Sequence, residues 1–75
     1  MTENLNDGAF DAFETLTARE REILDAVAQG LQDKMIAANL SISEETVGSH
    51  TKRIFRKLGV RNRTQASLVY RQEQT

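Results

Sequence analysis

Apolar residues recur at helical spacing in four stretches of the chain, separated by short connections carrying glycine, serine or asparagine. Ile23, Leu24, Val27 and Leu31 share one face at a period of about 3.6 residues. They predict a first helix over 18–29. Thr17-Ala18-Arg19-Glu20 opens it as a capping box, the Thr17 hydroxyl accepting the N3 amide while Glu20 reaches back to the cap amide. Gly30 stands where a left-handed residue is wanted past the helix end. A short second helix over 33–39 buries Ile36, Ala37 and Leu40. Ser43 caps a third over 44–58, with Glu44 and Glu45 favoured by the macrodipole in its first turn and Gly59 as its stop. Asn62-Arg63-Thr64-Gln65 is a second box-like cap, opening a last helix over 63–71. No proline is present, so caps and glycines must set every boundary. Residues 1–15 have no sustained apolar period and read as an acidic flexible arm or linker, with Phe10 and Phe13 spaced to tuck back onto the body. The expected fold is all-α, a four-helix domain over residues 16–75.

The third helix divides into two faces. At about 100° per residue, Val47, Thr51, Ile54 and Leu58 form an apolar stripe, and Ser49, Lys52, Arg53 and Arg56 lie on the far side. A short helix, the tight connection Leu40-Ser41-Ile42-Ser43 and this amphipathic helix together make the arrangement of a helix-turn-helix. The second helix of that motif enters the major groove of DNA. Close approach requires small or hydrogen-bonding residues near its start, and Gly48, Ser49 and Thr51 are of that kind.

Composition at first points elsewhere. The 75 residues carry a net charge of −1, which argues against a polyanion partner until the charge is located. Residues 1–15 hold four acids and no base, residues 16–45 three bases and six acids, and residues 46–75 seven bases and one acid. Neutrality is thus a cancellation between an acidic half and a basic one, the footprint of a polyanion-binding face. The acidic arm is also a candidate cover for that basic face. A chain of this length supports one small domain, burying only about 60% of its unfolded surface. Without cysteine there is no disulfide and no Cys-based zinc site, and His50 alone makes no metal cluster. Apolar stretches such as 26–28 and 36–38 are far too short for a transmembrane span or a secretory signal, so a cytoplasmic protein is expected. No nucleophile–base pair, carboxylate dyad or glycine-rich phosphate loop suggests an enzyme, and no cofactor is implied.

The ordered set of residues is more specific than any single piece. Leu16-Thr17-x-Arg19-Glu20-Arg21-Glu22-Ile23-Leu24, then Ala28-x-Gly30, then Lys34-x-Ile36-Ala37-x-x-Leu40-x-Ile42-Ser43-x-x-Thr46-Val47, then His50, Ile54, Lys57-Leu58-Gly59-Val60 and Arg63-Thr64-x-Ala66 resembles the LuxR/FixJ/GerE-type helix-turn-helix. The resemblance covers about residues 16–70. It implies a four-helix DNA-binding domain of bacterial transcription regulators, with the third helix as recognition helix and the fourth as dimer contact. The sequence departs from that pattern at Gly48, where the family commonly has lysine, and at Gln32 and Met35, where it usually has serine and glutamate. Most members carry a receiver or ligand-sensing domain upstream. The chain therefore reads as a stand-alone member or an excised effector domain.

Site residues follow from these two lines together. Ser49, Lys52 and Arg53 are the base-edge candidates; Ser49 matches a base-contact position of the family. Arg56, Lys57, Arg61 and Arg63 are phosphate candidates, with intramolecular carboxylates as the alternative. Lys57, on the helix flank, has Glu20 or Glu22 within its reach. Lys34, Thr46 and His50 match family positions and complete the phosphate set, although Thr46 can equally be back-bonded within its helix and His50 simply packed. On the last helix Ala66, Val69 and Tyr70 face inward, and Leu68 faces away among Gln65, Arg71 and Gln72. The resemblance makes that outer group a weak homodimer contact, strengthened by double-stranded DNA. The rival reading is a non-DNA-binding antagonist or co-regulator that heterodimerises with a related regulator or binds RNA polymerase, motivated by Gly48, Glu45 and the acidic arm.

Overall fold

The computed structural model describes residues 12–74, and Phe10 with the rest of residues 1–11 lies outside them. A helical turn at 12–14 leads into α1 (Ala18–Ala28), α2 (Asp33–Leu40), α3 (Glu44–Leu58) and α4 (Arg63–Gln74), with no strand among the described residues. The first three helices keep the expected boundaries to within one residue. The fourth runs on from Arg71 to Gln74, since Gln72, Glu73 and Gln74 are fair helix formers and no glycine or proline stops them.

All three expected N-caps, Thr17, Ser43 and Asn62, are made. The Glu20 amide donates to Thr17 Oγ1 at 3.0 Å and the Thr17 amide to Glu20 Oε1 at 3.0 Å. At α4 the Gln65 amide donates to Asn62 Oδ1 at 2.9 Å. The return bond differs from a strict box, because Gln65 Oε1 accepts the Arg61 amide at 2.8 Å, one residue before the cap. Gln32 offers α2 no side-chain cap.

The first three helices end by one device. Gly30, Ser41 and Gly59 each take a left-handed conformation, with φ of 88°, 59° and 70°. The next residue then donates its amide back to the helix: Leu31 to Ala26 O at 3.1 Å, Ile42 to Ala37 O at 3.0 Å, Val60 to Phe55 O at 3.0 Å. Each of those three apolar side chains packs on the core, as the Schellman motif requires. Ser41 carries a Cβ in a region that favours glycine, and it is the strained member of the three.

The core is built from Ile23, Leu24 and Val27 of α1, Ile36 and Ala37 of α2, Val47 and Ile54 of α3 and Ala66 of α4, with Leu40 only partly buried at its edge. α1 packs against both α3 and α4, and α2 packs against α3. Phe13 and Leu16 also enter this core, Phe13 at 3% exposure. The segment before α1 is fastened by two cations: Arg21 Nη2 donates to Phe13 O at 3.0 Å and Lys57 Nζ to Thr15 O at 2.9 Å. Packing on the body therefore begins ahead of Leu16, three residues into what reads from sequence as the arm. On the other side of α1 the Tyr70 hydroxyl donates to Asp25 Oδ1 at 2.8 Å, and burial together with that carboxylate pushes the phenol above its usual range.

Candidate nucleic-acid interface

α3 owes its position to the stripe it buries. Val47 and Ile54 are almost wholly enclosed, and Thr51 between them donates its hydroxyl to Val47 O at 2.9 Å. Thr51 therefore faces the core rather than a groove. The opposite face is open: Ser49, Lys52, Arg53 and Arg56 are all exposed. Lys52, Arg53 and Arg56 have no hydrogen-bond or ion-pair partner among the described residues. The three thus form one cationic strip on the outer side of a helix whose inner side is anchored. Glu45 is exposed in the first turn of the same helix.

At the start of α3, Ser43 Oγ accepts the Thr46 amide at 3.0 Å and lies 2.8 Å from Thr46 Oγ1. Thr46 is exposed and its hydroxyl pairs with the cap rather than bonding back one turn. Lys34 is exposed in the first turn of α2. His50 is partly buried, and its Nδ1 is enclosed without a hydrogen-bond partner among the described residues.

Two of the cations considered for phosphate are held inside the domain. Lys57 Nζ lies 2.8 Å from Glu20 Oε1, besides its bond to Thr15 O. Glu20 is 1% exposed, so this is a buried carboxylate with one cationic partner and one amide donor. Burial pushes the Glu20 carboxyl up, but the Lys57 hydrogen bond, the Thr17 amide and the charges of Lys57 and Arg53 outweigh it and hold the group below its ordinary range. Arg63 is similarly engaged, with Nη1 2.8 Å from Asp33 Oδ1 and Nη2 donating to Leu31 O at 2.7 Å. It ties the start of α4 to the loop before α2, over an open cleft lined in part by Val27, Gln32 and Thr64. Arg61 remains exposed. Of the sequence candidates, then, the side chains of Lys52, Arg53, Arg56, Lys34 and Arg61 make no hydrogen bond or ion pair among the described residues, while Lys57 and Arg63 have internal partners.

The outer side of α4 presents Leu68 at 53% exposure beside exposed Arg71 and Gln72. Gln65, grouped with them from sequence, is exposed but uses its carbonyl in the α4 cap. The residues that sequence reasoning did not foresee are Asp33 as the Arg63 partner and Arg21 as the clamp on Phe13 O. Neither has a local signal.

The model of bacterial regulatory proteins of the luxR family matches residues 14–70. The chain belongs to that family. The match begins within the packed segment that contributes Thr15 O and Leu16, in keeping with the early start of the body. The nitrate/nitrite response regulator protein NarP of Escherichia coli is 46% identical over 63 residues, covering 84% of this chain and 29% of that protein. The nitrate/nitrite response regulator protein NarL of the same organism is 47% identical over 58 residues, 77% of this chain and 27% of that one. A probable transcriptional regulatory protein, SgaR, of Hyphomicrobium methylovorum is 52% identical over 60 residues, 80% of this chain and 28% of that protein. The chain thus spans less than a third of the length of these relatives. The family is one of bacterial regulatory proteins. No helix among the described residues is long and apolar enough to cross a membrane.

Proposed function

We propose that this domain binds double-stranded DNA sequence-specifically, with α3 in the major groove, and so regulates transcription in the cytoplasm. The observation that carries this reading is the strip of Lys52, Arg53 and Arg56, exposed and without a hydrogen-bond or ion-pair partner among the described residues, on the face opposite buried Val47 and Ile54. Lys52 and Arg53, with Ser49, address base edges; Lys34, Thr46, Arg56, Arg61 and His50 meet phosphates. Phosphate contacts set the register and the base contacts supply sequence information. Exposed Leu68, with Arg71 and Gln72, forms a two-fold contact between copies. A single helix per subunit is a small interface, so the pair is weak alone and strengthened on DNA.

Selection of bound duplexes from a random pool by the purified chain, followed by affinity measurement on the selected site, tests this directly. An enriched motif bound at least about a thousandfold more tightly than random duplex is expected for a specific binder. Exposed Glu45 beside the cationic strip favours a second reading, an antagonist that pairs with a related regulator instead of DNA. No enrichment, together with a stoichiometric protein complex recovered from lysate, would select that reading.

A further inference from the structure

Residues 12–16 make one helical turn and a short lead into α1, and a helix of that length has no stability of its own. The segment is held by what it touches. Phe13 and Leu16 are buried in the core, Arg21 Nη2 donates to Phe13 O at 3.0 Å, and Lys57 Nζ donates to Thr15 O at 2.9 Å. The last of these fastenings comes from α3, 42 positions away. Lys57 stands in the final turn of that helix, and Arg53 of the exposed strip lies one turn earlier on the same flank. Three elements meet at one atom. Glu20 Oε1, in the first turn of α1, accepts the Thr17 amide at 3.0 Å and Lys57 Nζ at 2.8 Å. Thr17 follows directly on the held segment. Lifting residues 12–16 therefore withdraws Thr15 O from Lys57 and draws the Thr17 cap away from Glu20 in the same movement.

From this arrangement we infer that residues 12–16 are a conformational control point for α3. Seated, they hold its last turn against α1; lifted, they release that turn and lower affinity for DNA without unfolding the domain. The inference rests on the DNA-binding reading and adds a regulatory input to it. A short turn held by a few contacts opens at a lower free energy than the core around Ile23, Val47 and Ile54, so it has two arrangements while the body has one. A partner that binds only the lifted segment shifts that balance by mass action. The two ends of α3 respond differently. Val47 keeps the start of the helix in the core in either arrangement, whereas Arg53 and Arg56 lie in the turn that leads to Lys57. Release therefore changes the aim of the cations nearest the node, with every charge still present.

The test uses the whole chain with Phe13→Ala, which removes the segment's apolar anchor, and Arg21→Met, which removes the hook on Phe13 O. Neither residue lies on the cationic strip. Val27→Ala is the control, since Val27 is buried toward the other end of α1, where it lines the cleft with Gln32 and Thr64. In both test variants amide hydrogen exchange should quicken together at residues 15–20 and in the last turn of α3, while α2 and α4 keep the parent's protection. Affinity for the duplex selected by the parent should fall about tenfold in Phe13→Ala, an ordinary size for coupling between two sites, and by less in Arg21→Met. Val27→Ala, measured below its melting range, should stay within about twofold of the parent. Faster exchange confined to residues 15–20, or an affinity loss no larger than that of Val27→Ala, would overturn the inference. Should Phe13→Ala not fold, Arg21→Met leaves the apolar packing in place and decides by the same readouts. A parent that selects no duplex would overturn the DNA-binding reading, and exchange in the last turn of α3 would still decide whether residues 12–16 hold that helix.

Discussion

Lys52 and Lys57 belong to the same helix and carry the same charge, but their surroundings differ. Lys52 is exposed with no partner among the described residues, whereas Lys57 is half withdrawn and bonded to a buried carboxylate and a backbone carbonyl. Arg56 and Arg63 repeat the contrast, the first exposed without a partner among the described residues and the second held by Asp33 and Leu31 O. A run of basic residues is therefore not a count of DNA contacts. Part of the positive charge of residues 46–75 neutralises the acidic half of the domain, and only the remainder faces outward. The structural cations hold α3 and α4 to α1, the segment before α1 and the loop before α2. Those cations fix the orientation in which the free ones are displayed.

Substitutions should separate the two groups, the largest effect coming from the buried pair. Lys57→Met leaves Glu20 enclosed without its cation and should cost about 2–4 kcal/mol of stability by urea unfolding. Adding Glu20→Gln removes the stranded charge while keeping an acceptor for the Thr17 amide, and should recover more than half of the loss. Recovery of nothing would mean that the pair contributes only through packing. The pair also has a pH signature. Glu20 is held below its ordinary range in the folded state, so the stability it contributes is present above the unfolded carboxyl range and is lost as pH falls through the lower folded value. The parent should lose stability along that acid limb, and the Glu20→Gln, Lys57→Met chain should lose less.

The free cations should show the reverse pattern. Arg53→Ala or Lys52→Ala is expected to weaken binding to a selected duplex by about 1–3 kcal/mol while changing folding stability by less than about 0.5 kcal/mol. Competition binding and thermal melting on the same preparations would check both halves. A variant that lost binding and stability together would put its cation with the structural group. The smallest effect concerns the turn between α2 and α3. Ser41→Gly relieves the left-handed Cβ and should add about 0.5–1 kcal/mol of stability. DNA affinity should stay the same, because the turn geometry is already the one glycine would adopt.

Local features were the legible part of the fold. Thr17 with Glu20, Ser43, Gly30 and Gly59 all announce their roles in neighbouring residues, and the apolar period places the core face of each helix. Ser41 did not announce itself, because its conformation is imposed by Ile42 folding back to Ala37 O rather than by its own side chain. The amphipathic division of α3 was equally readable, and it located the candidate interface. Which cations remain available was not. Glu20 and Lys57 are separated by 37 positions and Arg63 and Asp33 by 30, so each pairing depends on how helices pack and not on any local pattern. Sequence alone could offer Lys57 both a carboxylate and a phosphate; the packing of α3 on α1 gives it the carboxylate.

Salt dependence of binding tests the division most directly. With Lys57 and Arg63 retained by the fold, the cations that can release counterions are Lys34, Lys52, Arg53, Arg56 and Arg61. At about −0.9 per phosphate neutralised, the logarithm of affinity should fall against the logarithm of salt with a slope of roughly −4 to −4.5 per subunit. A slope of about −6 or steeper would place Lys57 and Arg63 on DNA as well and contradict the division. A flat titration would contradict DNA binding itself.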